Sequence, residues 1–263
     1  MLDEQKMRTD IPHSARIWNY WLGGKDNYEV DQLAGEAAIQ ACPDITTMAV
    51  QSRQFLIRSV RYLAAEAGIR QFLDIGTGLP TMQNTHEVAQ GVAPEARVVY
   101  VDNDPLVLAH AKALLVNTTP EGETRYIDGD FNDPDGIVEA ARAVLDFDKP
   151  VAVMFMGVLG HSPTVEHMRN TVSAFMDAVP SGSYLSLQDG SNEDPLYVAL
   201  CEGYAQTGGV PYIPRSAAEI RACFDGLDMV DPGFVSITEW RPDPVEVGEI
   251  RANCGYGAVA RKP

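Results

Sequence analysis

Apolar residues between positions 44 and 67 recur at the spacing of one helix face. They are Ile45, Met48, Ala49, Leu56, Val60, Leu63, Ala64 and Ala67. Asp44 can cap the start of this predicted helix, and Gly68 can end it. A shorter apolar run, 71–75, follows and leads into a glycine turn, which predicts a strand.

Short apolar runs and helical patterns then alternate to the end of the chain. The predicted strands are 71–75, 97–101, 124–127, 151–159, 184–187, 235–239 and 256–260, and the helices between and after them are 105–116, 135–145, 164–178, 195–206 and 216–224. The run 151–159 is almost wholly apolar, as in a strand that is buried on both faces of a parallel sheet. The alternation predicts an α/β fold with a doubly wound, mostly parallel, seven-stranded sheet whose last strand is antiparallel.

The N-terminal part of the chain has a different pattern. Residues 1–12 are predicted to be a loose tail, and residues 14–42 are rich in aromatic and polar groups on either side of Gly23-Gly24. This pattern favours two helices separated by the glycines. We therefore divide the chain into an N-terminal helical extension, 1–43, and one α/β domain, 44–263.

The chain is acidic, with 37 Asp and Glu against 20 Lys and Arg and a formal net charge of −17. Such a surface repels phosphate backbones and anionic membranes, so the predicted partner is a small molecule, not a nucleic acid or a membrane. The sequence leaves the oligomeric state open. No apolar run approaches the length of a membrane span, and the N-terminus lacks the apolar region of a signal peptide. The four cysteines are scattered, which favours a reducing, cytoplasmic location and no metal site.

Three of the predicted strands lead to an aspartate: Asp74, Asp102 and Asp130. The carboxyl ends of parallel strands meet at one edge of a doubly wound sheet, where ligands bind. Asp74 precedes Gly76-Thr77-Gly78, where glycines let a ligand approach the backbone closely. Asp102 is placed to bind ribose hydroxyls, and Asp130 beside Phe131 can bind an adenine amino group. Asp104, directly before Pro105, is predicted to cap a helix. Taken singly, Asp130 could equally cap a turn and Phe131 could equally pack in the core.

The glycine turn has two interpretations. A dinucleotide-binding turn has the pattern Gly-x-Gly-x-x-Gly, but Thr81 stands at the third glycine position and the preceding carboxylate would repel a pyrophosphate. The second interpretation is the cofactor turn of methyltransferases, which the Asp-x-Gly-x-Gly stretch resembles. That turn usually has a third glycine two residues after Gly78, where this chain has Pro80. Either a helix begins at Pro80, or the loop continues to Asn84, which with Glu87 has the pattern of a capping box. We expect the longer loop.

Three motifs resemble the cofactor motifs of class I S-adenosylmethionine-dependent methyltransferases in order and spacing. They are Asp74-x-Gly-x-Gly, Val101-Asp102-Asn103-Asp104 and Gly129-Asp130-Phe131. The longer segments 15–28, 70–81 and 99–105 resemble a narrower bacterial family, S-adenosyl methyltransferase (methyltransferase family 19), formerly a domain of unknown function. The resemblance covers nearly the whole chain, and it implies a class I methyltransferase fold with S-adenosylmethionine as cofactor.

The predicted cofactor-binding residues lie at the ends of the first four strands. They are Asp74, Gly76, Thr77, Gly78, Asp102, Asn103, Asp130, Phe131 and Gly157. The resemblance implies that the carboxylate and glycines of the first motif face the methionine part of the cofactor. By the same resemblance, Asp102 faces the ribose, and Asp130 with Phe131 faces the adenine.

Two residues are predicted to be catalytic. His161 is the candidate general base because it lies at a strand end in the expected cleft, although it could instead bond only to neighbouring backbone. Tyr20 belongs to the segment around Gly23-Gly24, which could fold over the cofactor as a lid. Asp26 and Tyr28 are alternatives to Tyr20 for facing the cleft. The segment's Trp residues could instead merely pack the extension against the sheet.

The predicted function is methyl transfer from S-adenosylmethionine to a small-molecule acceptor by in-line displacement. Positioning contributes most of such a reaction, and a general base is needed only for poor nucleophiles. The Asn/Asp-Pro-Pro-Tyr/Phe motif of enzymes that methylate exocyclic amines of bases or glutamine amides is missing. The alternatives are a non-catalytic S-adenosylmethionine-binding protein and, less favoured by Thr81 and Asp74, a nicotinamide-dependent oxidoreductase.

Overall fold

A computed structural model describes residues 8–80, 83–114, 117–243 and 252–263. The helices in these ranges are α1 Ser14–Trp21, α2 Glu29–Ala41, α3 Ile45–Ala65, α4 Thr85–Val92, α5 Pro105–Leu114, α6 Pro134–Ala141, α7 Val165–Asp177, α8 Pro195–Ala205 and α9 Ala217–Arg221. The strands are β1 Gln71–Ile75, β2 Arg97–Asp102, β3 Glu123–Asp128, β4 Ala152–Met156, β5 Tyr184–Gly190, β6 Asp228–Met229, β7 Val235–Ser236 and β8 Gly255–Arg261. None of the described helices is long and apolar enough to cross a membrane.

The strands form one sheet in the order β3-β2-β1-β4-β5-β8-β6, and β7 also pairs with β8. Strands β1 to β5 pair in parallel, whereas β8 runs antiparallel to its neighbours β5, β6 and β7. This confirms the predicted doubly wound, mostly parallel sheet with an antiparallel last strand. The described residues contain eight strands where seven were predicted, because the two-residue β6 is too short to show an alternating pattern.

Helix α3 packs on the sheet as its apolar spacing predicts. Its residues Phe55, Val60 and Leu63 are completely buried in a cluster with the inner residues of β1, β2 and β4. The predicted strand 235–239 is wrong in length, since only Val235–Ser236 pairs with β8. The guanidinium of Arg58 in α3 donates hydrogen bonds to the carbonyl oxygens of Ile237 and Trp240 at 2.6 and 2.9 Å, so these carbonyl groups have a partner outside the sheet.

The loop after β1 is the longer of the two predicted versions. Helix α4 begins at Thr85, with Asn84 as its N-cap and Glu87 bonded back to the Asn84 N–H at 2.6 Å. The capping-box prediction is therefore confirmed. Thr81 lies outside the described residues, as do positions 115–116 at the predicted end of α5.

Helices α1 and α2 lie on either side of Gly23-Gly24, as predicted. A buried ion pair joins α1 to the α/β domain: Arg16 Nε lies 3.1 Å from Asp104 Oδ2, and both side chains are almost completely buried. Asp31 of α2 accepts hydrogen bonds from the backbone N–H groups of His13 and Tyr28, both at 2.9 Å. These contacts hold α1 above the carboxyl ends of β1 and β2. The division of the chain at residue 43 stays a prediction.

Candidate cofactor and active site

A cavity of about 250 Å³ lies at the carboxyl ends of β1, β2 and β4, beneath α1 and α3. All nine predicted cofactor-binding residues line it, together with His161. Sequence motifs from four separate strand ends thus meet in one cavity. Their individual roles remain predictions.

The glycine turn after β1 requires its glycines for two reasons. Gly76 and Gly78 have φ angles of +69° and +66°, which only glycine adopts at little cost. A Cβ atom on Gly76 would lie 2.4 Å from a methyl carbon of Val158, so this position is also sterically closed. The Gly76 N–H donates to the Val101 carbonyl at 2.8 Å, which fixes the turn against β2.

Asp74 is buried at the floor of the cavity. Its Oδ2 accepts a hydrogen bond from the Thr85 hydroxyl at 2.6 Å, whereas its Oδ1 accepts none of normal geometry from the described residues. Burial raises the pKa of the Asp74 carboxyl, and the Thr85 hydroxyl and the positive charge of Arg53 oppose this shift. An unsatisfied, buried carboxylate oxygen beside a cavity suits a ligand that brings its own hydrogen-bond donor.

Asp102 links the second strand to the glycine turn. Its Oδ2 accepts the Gly78 N–H at 2.8 Å, and its Oδ1 accepts the Asp104 N–H at 3.0 Å. Burial raises the pKa of the Asp102 carboxyl, and these backbone hydrogen bonds oppose the shift. Since a carboxylate has about four lone-pair sites, Asp102 can still accept bonds from a ligand in the cavity.

Asp104 was considered a helix cap, and it is one: its Oδ1 accepts the Leu106 N–H at 2.8 Å. The ion pair with Arg16 and a contact of 3.2 Å to His13 Nδ1 were not predicted from the sequence. Asp104 therefore fixes the start of α5 and the extension at the same point, beside Asp102.

The third strand supplies Asp130 and Phe131 to the far end of the cavity. Asp130 Oδ1 accepts the backbone N–H and the side-chain amide of Asn132 at 3.0 and 2.6 Å, so this residue does cap a turn. Asp130 therefore caps a turn and also lines the cavity, together with Phe131. Gly157, after β4, has a φ angle of +78°.

His161 lies in a short 3₁₀ helix, Leu159–His161, which follows β4. Its Nδ1 lies 3.0 Å from the Pro211 carbonyl oxygen, and its Nε2 lies 3.1 Å from the Ser14 hydroxyl. Because a carbonyl oxygen only accepts, we assign the proton to Nδ1, which leaves the lone pair of a neutral ring on Nε2. Burial lowers the pKa of His161, which favours this neutral form.

Tyr20 is not brought to the cavity. Its hydroxyl donates to Glu36 Oε1 at 2.7 Å, between α1 and α2, and the ring does not line the cavity. The α1 residues that line it instead are Ser14, Ala15, Trp18 and Asn19. Helical spacing explains the difference, because Trp18 and Tyr20 are two residues apart and point to different sides of the helix.

Arg53 of α3 also lines the cavity, which was not predicted from the sequence. Its Nη2 donates to Asn84 Oδ1 at 3.0 Å. The available signal was its spacing, since Arg53 lies four residues after Ala49 and three before Leu56, both on the apolar face of α3. A cation at the edge of a buried face is stabilised by an anionic partner. Burial lowers the pKa of Arg53, and the negative charge of Asp74 opposes that shift.

Asp189, at the end of β5, was also missed. Its carboxylate accepts hydrogen bonds from the Gly160 and Gly190 N–H groups at 3.2 and 3.0 Å and from the Tyr212 hydroxyl. Burial raises the pKa of Asp189 to about 7. Because Gly160 precedes His161, and the Tyr212 ring packs edge-on against the His161 imidazole, Asp189 positions this part of the site.

The described residues fit S-adenosylmethionine in four respects. Gly78 leaves room for a ligand at the backbone, since a Cβ atom there would have its nearest neighbour 3.9 Å away, and the Asp74 Oδ1 atom can accept a hydrogen bond from the ligand's ammonium group. Arg53 complements its carboxylate. Asp102 and the Asp130-Phe131 pair lie progressively farther along the sheet edge, in the order of ribose and adenine.

Comparisons with known proteins show the family to which the chain belongs. A family model described as S-adenosyl methyltransferase matches residues 2–263. A DUF574 family protein from Streptomyces avermitilis MA-4680 is 44% identical, with a TM-score of 0.92 over 98% of this chain and 100% of its own. A candidate methyltransferase from Thermobifida fusca YX is 38% identical, with a TM-score of 0.89 over 97% of each chain.

More distant structures share only the fold. An S-adenosylmethionine-dependent methyltransferase from Anabaena variabilis ATCC 29413 is 13% identical, with a TM-score of 0.50 over 95% of each chain. No match was found among curated protein sequences. The family match over nearly the whole sequence and the two similar structures identify the chain as a member of the S-adenosyl methyltransferase family, a methyltransferase that uses S-adenosylmethionine.

Proposed function

We propose that the protein methylates a small-molecule acceptor, with His161 as the group that takes up the acceptor's proton. The observation that carries this proposal is the meeting of the strand-end motifs with the Ser14–His161 pair in one cavity. When bound, S-adenosylmethionine supplies a methyl group whose carbon–sulfur bond breaks toward sulfur as a lone pair of the acceptor bonds to the carbon.

The cofactor residues act by orientation. Asp74 and Arg53 hold the ammonium and carboxylate groups at the buried end of the cavity, and the glycine turn allows close approach there. Asp102 accepts hydrogen bonds from the ribose hydroxyls, and Phe131 covers the adenine while Asp130 accepts from its amino group. Charged hydrogen bonds of this kind contribute about 1.5–3 kcal/mol each.

His161 has the properties of a base at neutral pH. Its pKa is lowered by burial, and Nε2 carries the lone pair toward Ser14. An acceptor hydroxyl that bonds to Ser14 Oγ can pass its proton to Ser14 as the Ser14 proton moves to Nε2. The bond from Nδ1 to the Pro211 carbonyl keeps the ring in the required orientation.

The charge of the molecule favours a small acceptor. A net charge of −17 repels nucleic acids, whose backbone phosphates would need a basic surface. The four cysteines have free thiols, which supports action in a reducing compartment such as the cytoplasm.

The test is the fate of a labelled methyl group. Protein with methyl-labelled S-adenosylmethionine and a bacterial extract should transfer label to a compound that passes an ultrafiltration membrane and separates from S-adenosylmethionine on chromatography. His161→Gln should lower this transfer about 10²- to 10⁴-fold, the usual contribution of a positioned base, with binding of S-adenosylhomocysteine unchanged. His167→Gln, in α7 and outside the cavity, is the matched control. Label in precipitated RNA, DNA or protein instead would contradict the proposal.

A further inference from the structure

A second cavity adjoins the cofactor cavity on the far side of α1. It has a volume of about 160 Å³ and lies between α1, α2 and α8. Ser14, Trp18 and Tyr204 line both cavities, so these three residues form the boundary between them. His161 lies at the same boundary, because its Nε2 bonds to Ser14 and its ring packs against Tyr212 of the second cavity.

The chemistry of the two linings differs. The cofactor cavity is lined by Asp74, Asp102, Asp130 and Arg53, whereas no charged side chain lines the second cavity among the described residues. Its walls are the rings of Trp18, Trp21, Tyr197, Tyr204 and Tyr212, with small side chains of α2 and α8 between them. An ionised ligand would lose its hydration there without gaining a partner, which is costly. Aromatic walls instead favour a flat, apolar ligand.

The outer end of this cavity reaches the protein surface. Ala37, Ala199, Gly203 and Thr207 belong to its lining and are exposed. A ligand can therefore enter between α2 and α8 while its inner end reaches Ser14. The volume suits one ring, since an apolar cavity of about 150 Å³ binds benzene in another protein.

We propose that this second cavity is the acceptor site, and that the acceptor is an uncharged molecule with a single aromatic ring and a hydroxyl group at its inner end. The inference rests on the proposed function, whose proton acceptor lies at the inner end of the cavity. The ring packs between Trp18, Trp21 and Tyr204, and its hydroxyl bonds to Ser14 Oγ. Specificity against charged analogues follows from the uncharged lining.

The glycines of two helices provide a matched pair of variants. Gly203, in α8, lines the cavity, and a Cβ atom added there would meet nothing within 4 Å. Gly203→Leu therefore places a side chain at the cavity entrance without a clash at Cβ. Gly91, in α4, is equally open but lines neither cavity, so Gly91→Leu is the control. Both changes replace a helical glycine by a better helix former, which favours folding.

The experiment measures binding of 4-methylphenol by saturation-transfer NMR to protein saturated with S-adenosylhomocysteine. We expect a signal with the unmodified protein and with Gly91→Leu, and its loss with Gly203→Leu. The charged analogue 4-hydroxybenzoate should give no signal. Absence of 4-methylphenol binding, equal binding to Gly203→Leu, or equal binding of 4-hydroxybenzoate would each overturn the inference.

Calorimetry of S-adenosylhomocysteine on the same three samples separates this inference from the proposed function. Binding of S-adenosylhomocysteine by all three, without binding of 4-methylphenol, overturns the acceptor site alone. Failure of the unmodified protein to bind S-adenosylhomocysteine overturns the proposed function itself.

Discussion

At the scale of single residues, Asp74, Asp102 and Asp130, at the carboxyl ends of β1, β2 and β3, have different environments. Asp74 is buried against Thr85, Asp102 is bonded to the backbone of the glycine turn, and Asp130 is exposed and accepts hydrogen bonds from Asn132. One pattern in the sequence thus produces three carboxylates with different chemistry. The pattern predicts where the cavity lies, but burial and partners decide what each oxygen can still bind.

The two glycines of the turn after β1 should respond differently to alanine. Gly76→Ala and Gly78→Ala both place an alanine at a positive φ angle, which lowers the free energy of unfolding by about 1–2 kcal/mol. Only at Gly76 does the new Cβ also collide with Val158, whereas at Gly78 the nearest atom, of Ala15, is 3.9 Å away. Urea unfolding should therefore show a larger loss of stability for Gly76→Ala. Equal losses would mean that Val158 moves aside freely.

Asp189 should give the protein's stability a distinctive pH dependence. Its pKa is raised by burial from 3.8 to about 7 in the folded state, so between these values the folded state holds a proton that the unfolded state has lost. The contribution of this group to stability therefore declines as pH rises from about 4 to about 7 and is constant above that. Asp189→Asn should remove this decline from unfolding curves measured across that range. The same slope in both proteins would disprove the assignment.

At the scale of elements, α1 lines both cavities and is held beside the start of α5 by an ion pair. The ion pair of Arg16 with Asp104 joins residues 88 positions apart in sequence, and no local pattern marks such a pair. Asp104 was predicted as a cap because that signal is local: Pro105, a residue typical of the first turn of a helix, follows it directly. The same limit applies to Arg53, Asp189 and the Ser14–His161 bond, whose partners come from distant elements.

The Arg16–Asp104 pair should contribute strongly to stability. Arg16→Met leaves the buried Asp104 carboxylate without its guanidinium, and breaking a buried pair in this way costs about 3–5 kcal/mol. Arg16→Met with Asp104→Asn removes the stranded charge and retains a capping side chain. The double variant should thus be less destabilised in urea than the sum of the single variants. Additive effects would show that the two side chains do not depend on each other.

The extension as a lid remains a prediction, which hydrogen exchange can test. Amides of residues 14–30 should gain protection when S-adenosylhomocysteine binds, because α1 lines the cavity. Amides of the buried residues 152–155 of β4 should be protected with and without it, as an internal control. Unchanged protection of 14–30 would mean that the extension is a fixed wall.

At the scale of the whole molecule, the order of apolar runs predicted the fold well. Alternating strands and helices in one chain have few stable arrangements, and right-handed crossovers reduce them further. What the order could not predict is the second cavity, because its lining comes from α1, α2 and α8, which meet only in the folded protein. The short β6 was missed because two residues show no alternating pattern, and β7 was predicted too long because its continuation bonds to Arg58 of the distant helix α3.

The most direct test of the whole account is a crystal structure of the protein with S-adenosylhomocysteine. We predict that the ribose hydroxyls bond to Asp102, that the adenine lies against Phe131, and that the amino-acid end meets Asp74 and the glycine turn. The sulfur should then face the boundary formed by Ser14, Trp18 and Tyr204. A ligand bound elsewhere, or one in this cavity with its adenine at Asp74, would contradict the account.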